Sequence, residues 1–530
     1  MFVRYALAIL PFLILPNLKS FAQKQHFVDF HDNGQKSTEG FYERGFENGI
    51  WKWWYPDGTL KEETNYFFGK INGQSTRWHA NGIPEHIGFF AMDKPDSTLL
   101  SFTPDSVLIE KGHFSNGKQT GEWNYWFTDG QLRMTEVYTD SARLLTFARA
   151  IDRSVQVQNG NGTYESHYDD GTLMERCGYL NGLRNGEYIV NFNDGKTREQ
   201  GSYALGLQTG NWKTNHRNGK QWQDVNYLNG ALNGPFNQFF ANGNKDFEGN
   251  YLNGEKHGDW TWYFVDGGID MTGQFVKGEQ EGDWTWYYRN GTVHYTGHFT
   301  KGLRDGQWKW NYEGGQLWKE GPYANNQKNG TWSYFFEDGT PLMKGNFTND
   351  LEEGVWESWY DSGKPKDKGN FKAGTMNGYW EGWYPNGVVH YRGSWIGDLR
   401  TGDWEIYHEN GKPREKGSYD KEGRKTGKWS SYDPNGILQE TGTYKEGTPH
   451  GEWLYNYPNG SPEFKKTYKD GKMEGASVTY SRNGQVIEEA TYRNNRLHGK
   501  FIRYNEKTRK VEKHIIFENG QVAKVVEGKL

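Results

Sequence analysis

Large aromatic side chains alternate with polar ones in short stretches of this chain, which is the pattern of a β-strand with one buried face. In residues 258–275 the alternation assigns two sets of side chains to opposite faces: Trp260, Trp262, Phe264 and Phe275 on one, and Asp259, Thr261, Tyr263, Asp270, Thr272 and Gln274 on the other. Similar stretches return along most of the chain. The pattern predicts many short strands joined by turns.

These stretches recur with a nearly constant period, which is set by an anchor of the form Gly-x-aromatic, usually Gly-x-Trp. From Gly162 to Gly499 successive anchors are 24 residues apart, with a single spacing of 25. Earlier anchors stand at Gly49, Gly73 and Gly121, so the period is interrupted twice near the N-terminus. A period of this length is typical of an array of units that are each too small to bury a core.

Each unit also contains a dipeptide that is typical of a tight turn. Asp266-Gly267 predicts a two-residue type I′ turn, in which both central residues have positive φ. Other units hold Asn-Gly or Asp-Gly at the same position. Counting outward from the turn predicts these pairs: Val265 opposite Gly268, Trp262 opposite Met271, Trp260 opposite Gly273 and Gly258 opposite Phe275. Both recurrent aromatics then face a glycine, and we expect their rings to cover the gap that it leaves.

The hairpins predict an all-β fold, an elongated antiparallel β-hairpin array in the form of a twisted or solenoid-like sheet. Strands pair at about 4.8 Å, so each hairpin adds about 10 Å and fifteen units extend on the order of 150 Å. The polar, Gly-rich link at residues 251–258 is expected to be a surface loop.

Four segments are predicted along the chain. Residues 1–22 have the pattern of a signal peptide, with Arg4, an apolar run and a Ser20-Phe21-Ala22 cleavage site. Residues 23–160 form an irregular repeat region with two interruptions, residues 161–508 the regular array, and residues 509–530 a capping unit. In the first interruption, residues 99–102 and 107–114 are expected to pair around the turn at 103–106. In the second, the spacing in residues 139–151 suggests a helix.

Composition excludes several functional classes. The chain has a net charge of −5 and no basic cluster, so nucleic acid is not expected as a partner. It has one cysteine, Cys177, and therefore no disulfide framework; we interpret it as a buried structural residue. Hydrolase, metalloprotease and phosphate-loop motifs are missing, and the histidines occupy scattered repeat positions. We expect no enzyme activity, no cofactor and no metal site.

A row of aromatic residues on the polar face is the candidate binding site. It comes three residues after the anchor aromatic, and its candidate partner-binding members are Tyr263, Tyr287, Phe335, Trp359, Trp383, Tyr407 and Tyr432. If exposed, the row suits stacking on sugar rings or contact with a partner protein. The alternative is that a second layer or a curled sheet covers it, or that a bulge turns it inward.

The unit resembles the MORN (membrane occupation and recognition nexus) repeat, in its bacterial variant. Residues 330–339, Gly-Thr-Trp-Ser-Tyr-Phe-Phe-Glu-Asp-Gly, followed by Gly345-Asn346-Phe347, are a representative match, and the resemblance extends from about Gly40 to Gly520. It implies an interaction scaffold. Lipid binding has been attributed to some members, and many bacterial examples carry an antitoxin label, which fits poorly with a secreted chain.

We therefore expect a non-enzymatic scaffold that is secreted or periplasmic, cleaved after Ala22, with no transmembrane span in the mature chain. Its partner is expected to be a protein at the cell envelope. The alternative is binding of an envelope glycan or a lipid headgroup through the aromatic row. The repeat itself presents the same groups many times, whereas catalysis needs a unique constellation.

Overall fold

The computed structural model describes residues 24–528, and the predicted signal peptide at residues 1–22 lies outside them. All regular elements in this part of the chain are β-strands, so the predicted all-β hairpin array is confirmed. No helix among the described residues is long and apolar enough to cross a membrane. The contacts between residues divide the chain into two units. The first unit ends at Gly243, and the second begins at Asn244. The sequence-based divisions at residues 160 and 508 stay predictions.

The first unit is an antiparallel meander in which strands that follow one another in the chain pair with one another. The short strands β3 and β8 continue into β4 and β9 and share their partners. Strands β1 to β21 are, in order, Lys24–Phe30, Lys36–Glu43, Phe46–Glu47, Gly49–Trp54, Leu60–Phe67, Lys70–Trp78, Pro84–Ala91, Lys94–Pro95, Ser97–Phe102, Leu108–Ser115, Lys118–Trp126, Leu132–Tyr138, Arg143–Arg149, Val155–Gln158, Asn161–His167, Leu173–Leu180, Leu183–Asn191, Thr197–Ala204, Leu207–Asn215, Gln221–Leu228 and Ala231–Phe239.

The second unit is built in the same way, with β29 and β34 as the short segments that precede an anchor glycine. Strands β22 to β47 are, in order, Lys245–Leu252, Glu255–Tyr263, Ile269–Val276, Glu279–Tyr287, Val293–Thr300, Leu303–Asn311, Leu317–Ala324, Gln327–Lys328, Gly330–Phe335, Pro341–Thr348, Leu351–Trp359, Pro365–Lys372, Thr375–Met376, Gly378–Trp383, Val389–Ile396, Leu399–Tyr407, Pro413–Tyr419, Lys425–Tyr432, Leu438–Lys445, Thr448–Asn456, Pro462–Lys469, Lys472–Tyr480, Val486–Arg493, Arg496–Tyr504, Val511–Glu518 and Gln521–Glu527.

The turn at Asp266-Gly267 is not the type I′ turn that its sequence predicted. The amide of Phe264 donates to the carbonyl of Gly268 (2.7 Å), and the amide of Gly267 donates to the carbonyl of Phe264 (2.8 Å). Gly267 has a φ of 98°, whereas Asp266 keeps a negative φ. This is a three-residue loop, a type I turn followed by a glycine in the left-handed region. The predicted pairing of Val265 with Gly268 is therefore wrong.

The other predicted pairs of this hairpin are confirmed. Trp262 lies opposite Met271, Trp260 opposite Gly273 and Gly258 opposite Phe275. A register shift next to Trp262 leaves Asp270 without a partner in the ladder. Because this β-bulge adds one residue to the second strand, it compensates for the longer turn and restores the predicted register.

Turns with positive φ at both central residues occur at the links between hairpins instead. At Asn253-Gly254 the φ angles are 51° and 87°, and Leu252 pairs directly with Glu255. This is the geometry of a type I′ turn. The link that the sequence suggested to be an open surface loop is thus a tight hairpin turn, and the ladder continues through it.

The anchor Gly-x-Trp forms a second bulge, at the boundary between hairpins. Gly258, Asp259 and Trp260 stand together opposite the single residue Gly249 of the preceding strand. Gly258 has a φ of 71°, and a Cβ on it would meet nothing within 4 Å. The anchor glycine is therefore required by the backbone conformation of the bulge, and the predicted covering of this glycine by Phe275 is wrong.

The anchor tryptophan covers the glycine of the preceding strand rather than the one opposite it in its own hairpin. A Cβ on Gly249 would lie 2.2 Å from Cδ2 of Trp260, and Gly273, the ladder partner of Trp260, is covered by Trp284. The indole Nε1 of Trp260 also donates to the carbonyl of Asn250 (3.2 Å). The ring thus joins neighbouring hairpins, which corrects the expectation of a contact within one hairpin.

The core of the second unit is a chain of aromatic rings along the face that carries the anchors, called the anchor face below. Successive rings from Trp260 to Tyr334 stack with centroids 5.6–6.2 Å apart. The buried members of this cluster are Trp260, Phe275, Trp284, Phe299, Trp308, Tyr323, Trp332, Phe347 and Trp356. In the first unit, an aliphatic cluster of Leu145, Ala148 and Val157 lies where the period is interrupted.

The two interruptions are continuous with the sheet. In the first, β9 pairs with β10 with Phe102 opposite Leu108, so the predicted hairpin is confirmed. In the second, β13 (Arg143–Arg149) pairs with β12, so the helix predicted for residues 139–151 is wrong. Leu145 and Ala148 are both buried, and a register shift at Thr146 lies between them. This irregular strand produced an apolar spacing that resembles a helical one.

Candidate interaction surface

The seven residues of the predicted aromatic row all lie at the end of the first strand of a hairpin, beside the turn, and all are half-buried. Each pairs across the ladder with an aliphatic residue or proline, as Tyr263 does with Ile269, Tyr287 with Val293 and Trp359 with Pro365. The same holds for Phe335, Trp383, Tyr407 and Tyr432. Each row residue therefore has an apolar neighbour within its own hairpin.

Two tyrosines of the row donate hydrogen bonds to carboxylates on the same face. The Tyr407 hydroxyl donates to Glu405 Oε2 (2.6 Å), and the Tyr263 hydroxyl donates to Glu248. Burial is the largest cause and the hydrogen bond to the carboxylate the second largest; together they raise the pKa of both tyrosines to about 12. The phenols therefore remain neutral donors at physiological pH, with a carboxylate beside each ring.

The polar face around the row is rich in ion pairs that cross between strands. Glu405 accepts from Tyr407, Arg392 and Lys416; burial raises its pKa, but these three hydrogen bonds outweigh burial and lower the pKa to about 2. Similar ion pairs between neighbouring strands join Lys368 to Glu357 (2.8 Å) and Lys465 to Glu452 (2.9 Å). Exposed pairs of this type contribute little to stability, but they keep the face hydrated and its charge nearly balanced.

The backbone carbonyls of Phe335, Trp383, Tyr407 and Tyr432 each accept a bond from a tyrosine or histidine of the preceding hairpin. The hydroxyl of Tyr360 donates to the carbonyl of Trp383 (2.8 Å), and that of Tyr384 donates to the carbonyl of Tyr407 (2.8 Å). At the next hairpin, His408 Nε2 makes the same bond to the carbonyl of Tyr432 (2.9 Å). Each bond joins one hairpin to the next, so the spacing of successive row residues is set by side chains as well as by the ladder.

The asparagine of each Asn-Gly turn has a similar role. Asn386 Nδ2 donates to the carbonyl of Glu409 in the next turn (2.8 Å), while its Oδ1 accepts from the amide of Val388 (2.9 Å). Asn290 does the same with Glu313 and Thr292. An aspartate at this position accepts the local bond but has no donor for the next turn. Asparagine is therefore favoured by contact between hairpins.

The anchor face carries cations that sequence reasoning missed. A Lys or Arg four residues before the anchor aromatic lies over the rings of its own unit, as Lys328 does over Trp332 (4.7 Å to the centroid) and Phe347 (4.6 Å). Equivalent cations are Arg184, Lys256, Arg304, Arg400 and Lys425. Burial among the rings lowers the pKa of Lys256. Their recurrence at one repeat position is the sequence signal that could have revealed them.

Cavities interrupt this face in both units. One of about 650 Å³ lies in the irregular part of the first unit and contains the buried Glu136, which accepts hydrogen bonds from Arg143 Nε (2.8 Å) and the Tyr138 hydroxyl (2.9 Å). Another, of about 350 Å³, lies in the second unit and is lined by Leu342, Met343, Trp356, Glu357, Ser358, Trp359, Lys366, Asp367, Phe371 and Trp380. Neither cavity was predicted, because both arise where a repeat position departs from its usual residue.

Within residues 24–528, no group of three or more His, Cys, Asp or Glu side chains is arranged to hold a metal ion. Cys177 is buried, and burial raises the pKa of its thiol to about 11, so it is protonated and unreactive at neutral pH. The described part of the chain therefore offers hydrogen-bond donors, rings and ion pairs.

The family comparison agrees with the unit seen in the structure. The MORN repeat variant model matches at residues 47–67, 280–301, 304–325, 328–349, 352–373, 400–421, 425–446, 449–470 and 473–494. The chain carries MORN repeats of the variant type at these positions, and each match runs from the anchor strand of a unit through its second strand. Repeats of this family are generally non-enzymatic scaffolds for interaction with proteins or membrane lipids. No curated protein matches the chain.

Among solved structures, a Tc holotoxin pore of Photorhabdus luminescens aligns at 10% identity and a TM-score of 0.13, covering 95% of this chain and 30% of that one. The TcdB2-TccC3-Cdc42 structure aligns at 12% identity and a TM-score of 0.12, covering 93% and 28%. This chain thus spans about a third or less of those proteins. Alignments at these TM-scores carry no argument about function.

Proposed function

We propose that this protein is an extracytoplasmic repeat scaffold that binds proteins at the cell envelope through the aromatic row. The MORN repeats support the role of scaffold. The row supports the choice of surface, because its rings repeat on a face that is otherwise hydrated, and aromatic side chains are enriched at the centres of protein interfaces.

The observation that carries this proposal is the fixed spacing of the row. Every row residue has a ladder pair, and four of them, Phe335, Trp383, Tyr407 and Tyr432, are also held by a tyrosine or histidine bond to the backbone carbonyl. A preorganised surface loses little conformational entropy on binding. A partner that contacts several units gains avidity, because every contact after the first is intramolecular.

A pull-down from envelope extract tests the proposal. We expect a set of proteins captured by the wild-type chain to be lost from a variant with Tyr287, Trp359 and Trp383 all changed to Ala. The matched control changes Thr285, Glu357 and Glu381 to Ala, which lie on the same strands and by alternation on the same face. Equal capture by all three proteins would contradict a binding role for the row.

The extracytoplasmic location is proposed from the sequence of residues 1–22. N-terminal sequencing of the protein recovered from the periplasm or medium should begin at Gln23. Recovery of full-length protein starting at Met1 from the cytosolic fraction would contradict secretion.

The second candidate function is binding of an envelope glycan or lipid headgroup through the same row. A carboxylate beside a ring, as at Tyr263 and Glu248, is chemistry that suits a sugar, which offers hydroxyls to the carboxylate and a C–H face to the ring. Glycan-array binding and flotation with lipid vesicles distinguish this function from protein capture. Specific glycan signals that the row variant loses would favour it.

A further inference from the structure

The cavity of about 350 Å³ in the second unit exists because the chain of rings on the anchor face is interrupted. The position two residues after the anchor aromatic holds Trp262, Trp286, Trp310 and Tyr334 in four successive units. In the next two units it holds Ser358 and Gly382. The missing ring of residue 358 leaves a cavity of about 350 Å³ between the anchor tryptophans Trp356 and Trp380.

The rings beside this cavity are more accessible than their equivalents. Trp356 and Trp380 are 6% and 7% exposed, whereas Trp332 in the preceding unit is fully buried. Phe371, which contacts Trp380 in a T-shaped arrangement (5.2 Å between centroids), lines the same space and is half-buried. The cavity therefore presents aromatic surface that a small group can reach.

Other units show which group fits against such rings. Lys328 lies over Trp332 and Phe347, and Lys425 lies over Trp429 with its ammonium 4.0 Å from the ring centroid. The residue equivalent to Lys328 in the next unit is Glu352. Among residues 24–528, no lysine or arginine lies over Trp356, Phe371 or Trp380. This unit therefore has the rings of a cation site, and it has an acid at the position where six units have the cation.

A carboxylate completes the site. Asp367 lines the cavity and accepts hydrogen bonds from the Tyr391 hydroxyl (2.7 Å) and from Ser358 Oγ (3.3 Å). Two such bonds leave further lone pairs on its oxygens. Lys366 also lines the cavity, but its ammonium lies near the ring of Tyr360 (5.9 Å to the centroid), and Lys368 is paired with Glu357.

We propose that this cavity binds a primary ammonium group on an alkyl chain, the lysine side chain of a partner protein. The methylene stem lies along Trp356 and Phe371 as the internal lysines lie along their rings, and the ammonium bonds to Asp367. Cation–π attraction is strongest where the cation is removed from water, as it is in a cavity. The proposal goes beyond the function proposed for the row: the row residue Trp359 also lines the cavity, but the polar groups Ser358 and Asp367 belong to the anchor face.

Binding of N-acetyl-lysine methylamide to the full mature chain, measured by calorimetry and tryptophan fluorescence, tests the proposal. We expect saturable binding that the neutral N-acetyl-norleucine methylamide does not reproduce. Ser358→Tyr fills the cavity, and Glu352→Lys supplies an internal cation. Each is expected to weaken binding about tenfold. Both variants place at these positions the residue that the preceding unit has, Tyr334 and Lys328, so both should fold.

Glu337→Lys is the control, because it makes the same charge change at an exposed turn residue. It should leave binding unchanged, and Asp367→Asn should weaken it. Equal binding of the lysine and norleucine probes to the wild-type chain would overturn the proposal, as would absence of saturable binding. Unchanged affinity in folded Ser358→Tyr and Glu352→Lys would also overturn it. If either variant fails to fold, the other variant and the two probes decide.

Discussion

The anchor tryptophan makes three kinds of contact, and together they explain why this residue recurs. The ring of Trp308 lies over Gly297, its Nε1 donates to the carbonyl of His298 (3.3 Å), and it meets Phe299 edge to face (5.2 Å between centroids). Phenylalanine lacks the donor and covers less of the glycine. The buried ring therefore stabilises the boundary between two hairpins rather than a single hairpin.

Truncation of this ring should cost far more than truncation of a row residue. Trp308→Ala is expected to lower the free energy of unfolding locally by about 3–5 kcal/mol, because it removes a large buried ring and uncovers Gly297. Tyr287→Ala, on the polar face, should cost about 1 kcal/mol or less. Thermal and urea melting of the two variants measures the difference. Equal destabilisation would mean that both faces are core and that the row is not a binding surface.

The covered glycines should tolerate no side chain. In Gly297→Ala the new Cβ would lie 2.1 Å from Cδ2 of Trp308, so the ring must move, at a cost of about 1–3 kcal/mol. Gly268→Ala is the matched control, because its nearest contact is an ordinary 3.6 Å and its φ is not in the left-handed region. A melting temperature of Gly297→Ala equal to that of Gly268→Ala would contradict the packing described here.

At the scale of elements, each hairpin has two turns of different construction. The turn within a repeat is a three-residue loop with one left-handed glycine, and the turn between repeats has two residues with positive φ. Both carry Asn-Gly, but for different reasons. In the first the asparagine bonds to the next turn, and in the second its backbone takes the left-handed conformation, as at Asn253.

Exchange of one atom at the first turn tests this difference. Asn386→Asp keeps the acceptor for the amide of Val388 but replaces the donor to the Glu409 carbonyl by an oxygen. We expect a loss of about 1 kcal/mol, measured by urea unfolding. Asp338→Asn, the reverse exchange at the equivalent turn, should be neutral or stabilising. A stabilised Asn386→Asp would show that the asparagine acts only within its own turn.

At the scale of the molecule, contacts within each unit are mainly between strands that neighbour one another in the sheet, as expected for a linear repeat array. The irregular strand β13 is an exception, because it also contacts β17. The anchor side chains follow the same rule, because each anchor tryptophan that covers a glycine contacts the strand before its own. Stability is then a sum of unit and boundary contributions. Cooperative loss of the whole fold from one damaged boundary is not expected.

Hydrogen exchange of Trp308→Ala measures how far such damage spreads. Amide protection should fall in the strands that flank the lost ring, β25 to β28. It should persist in β41 to β44, more than five hairpins away along the chain. Loss of protection across all strands of the second unit at once would contradict nearest-neighbour coupling.

The sequence alone determined the period, the all-β hairpin fold and most of the register, because strand alternation and turn dipeptides are local signals that a repeat states many times. Trp260, Met271 and Gly273 were assigned to their partners correctly on this basis. The candidate row was also found by position, although its binding role stays a prediction. Arg143–Arg149 was misread, because one irregular strand offers no repeated signal to correct its spacing.

Only the tertiary structure decided which turn has which geometry, which glycine each tryptophan covers and where the ring chain is interrupted. These depend on bulges, which shift a strand by one or more residues and redirect a side chain toward a neighbouring hairpin. The covering of Gly273 by Trp284 joins residues of different repeats, so pairing within one hairpin does not reveal it. The cavity beside Ser358 likewise exists only because consecutive units pack against one another.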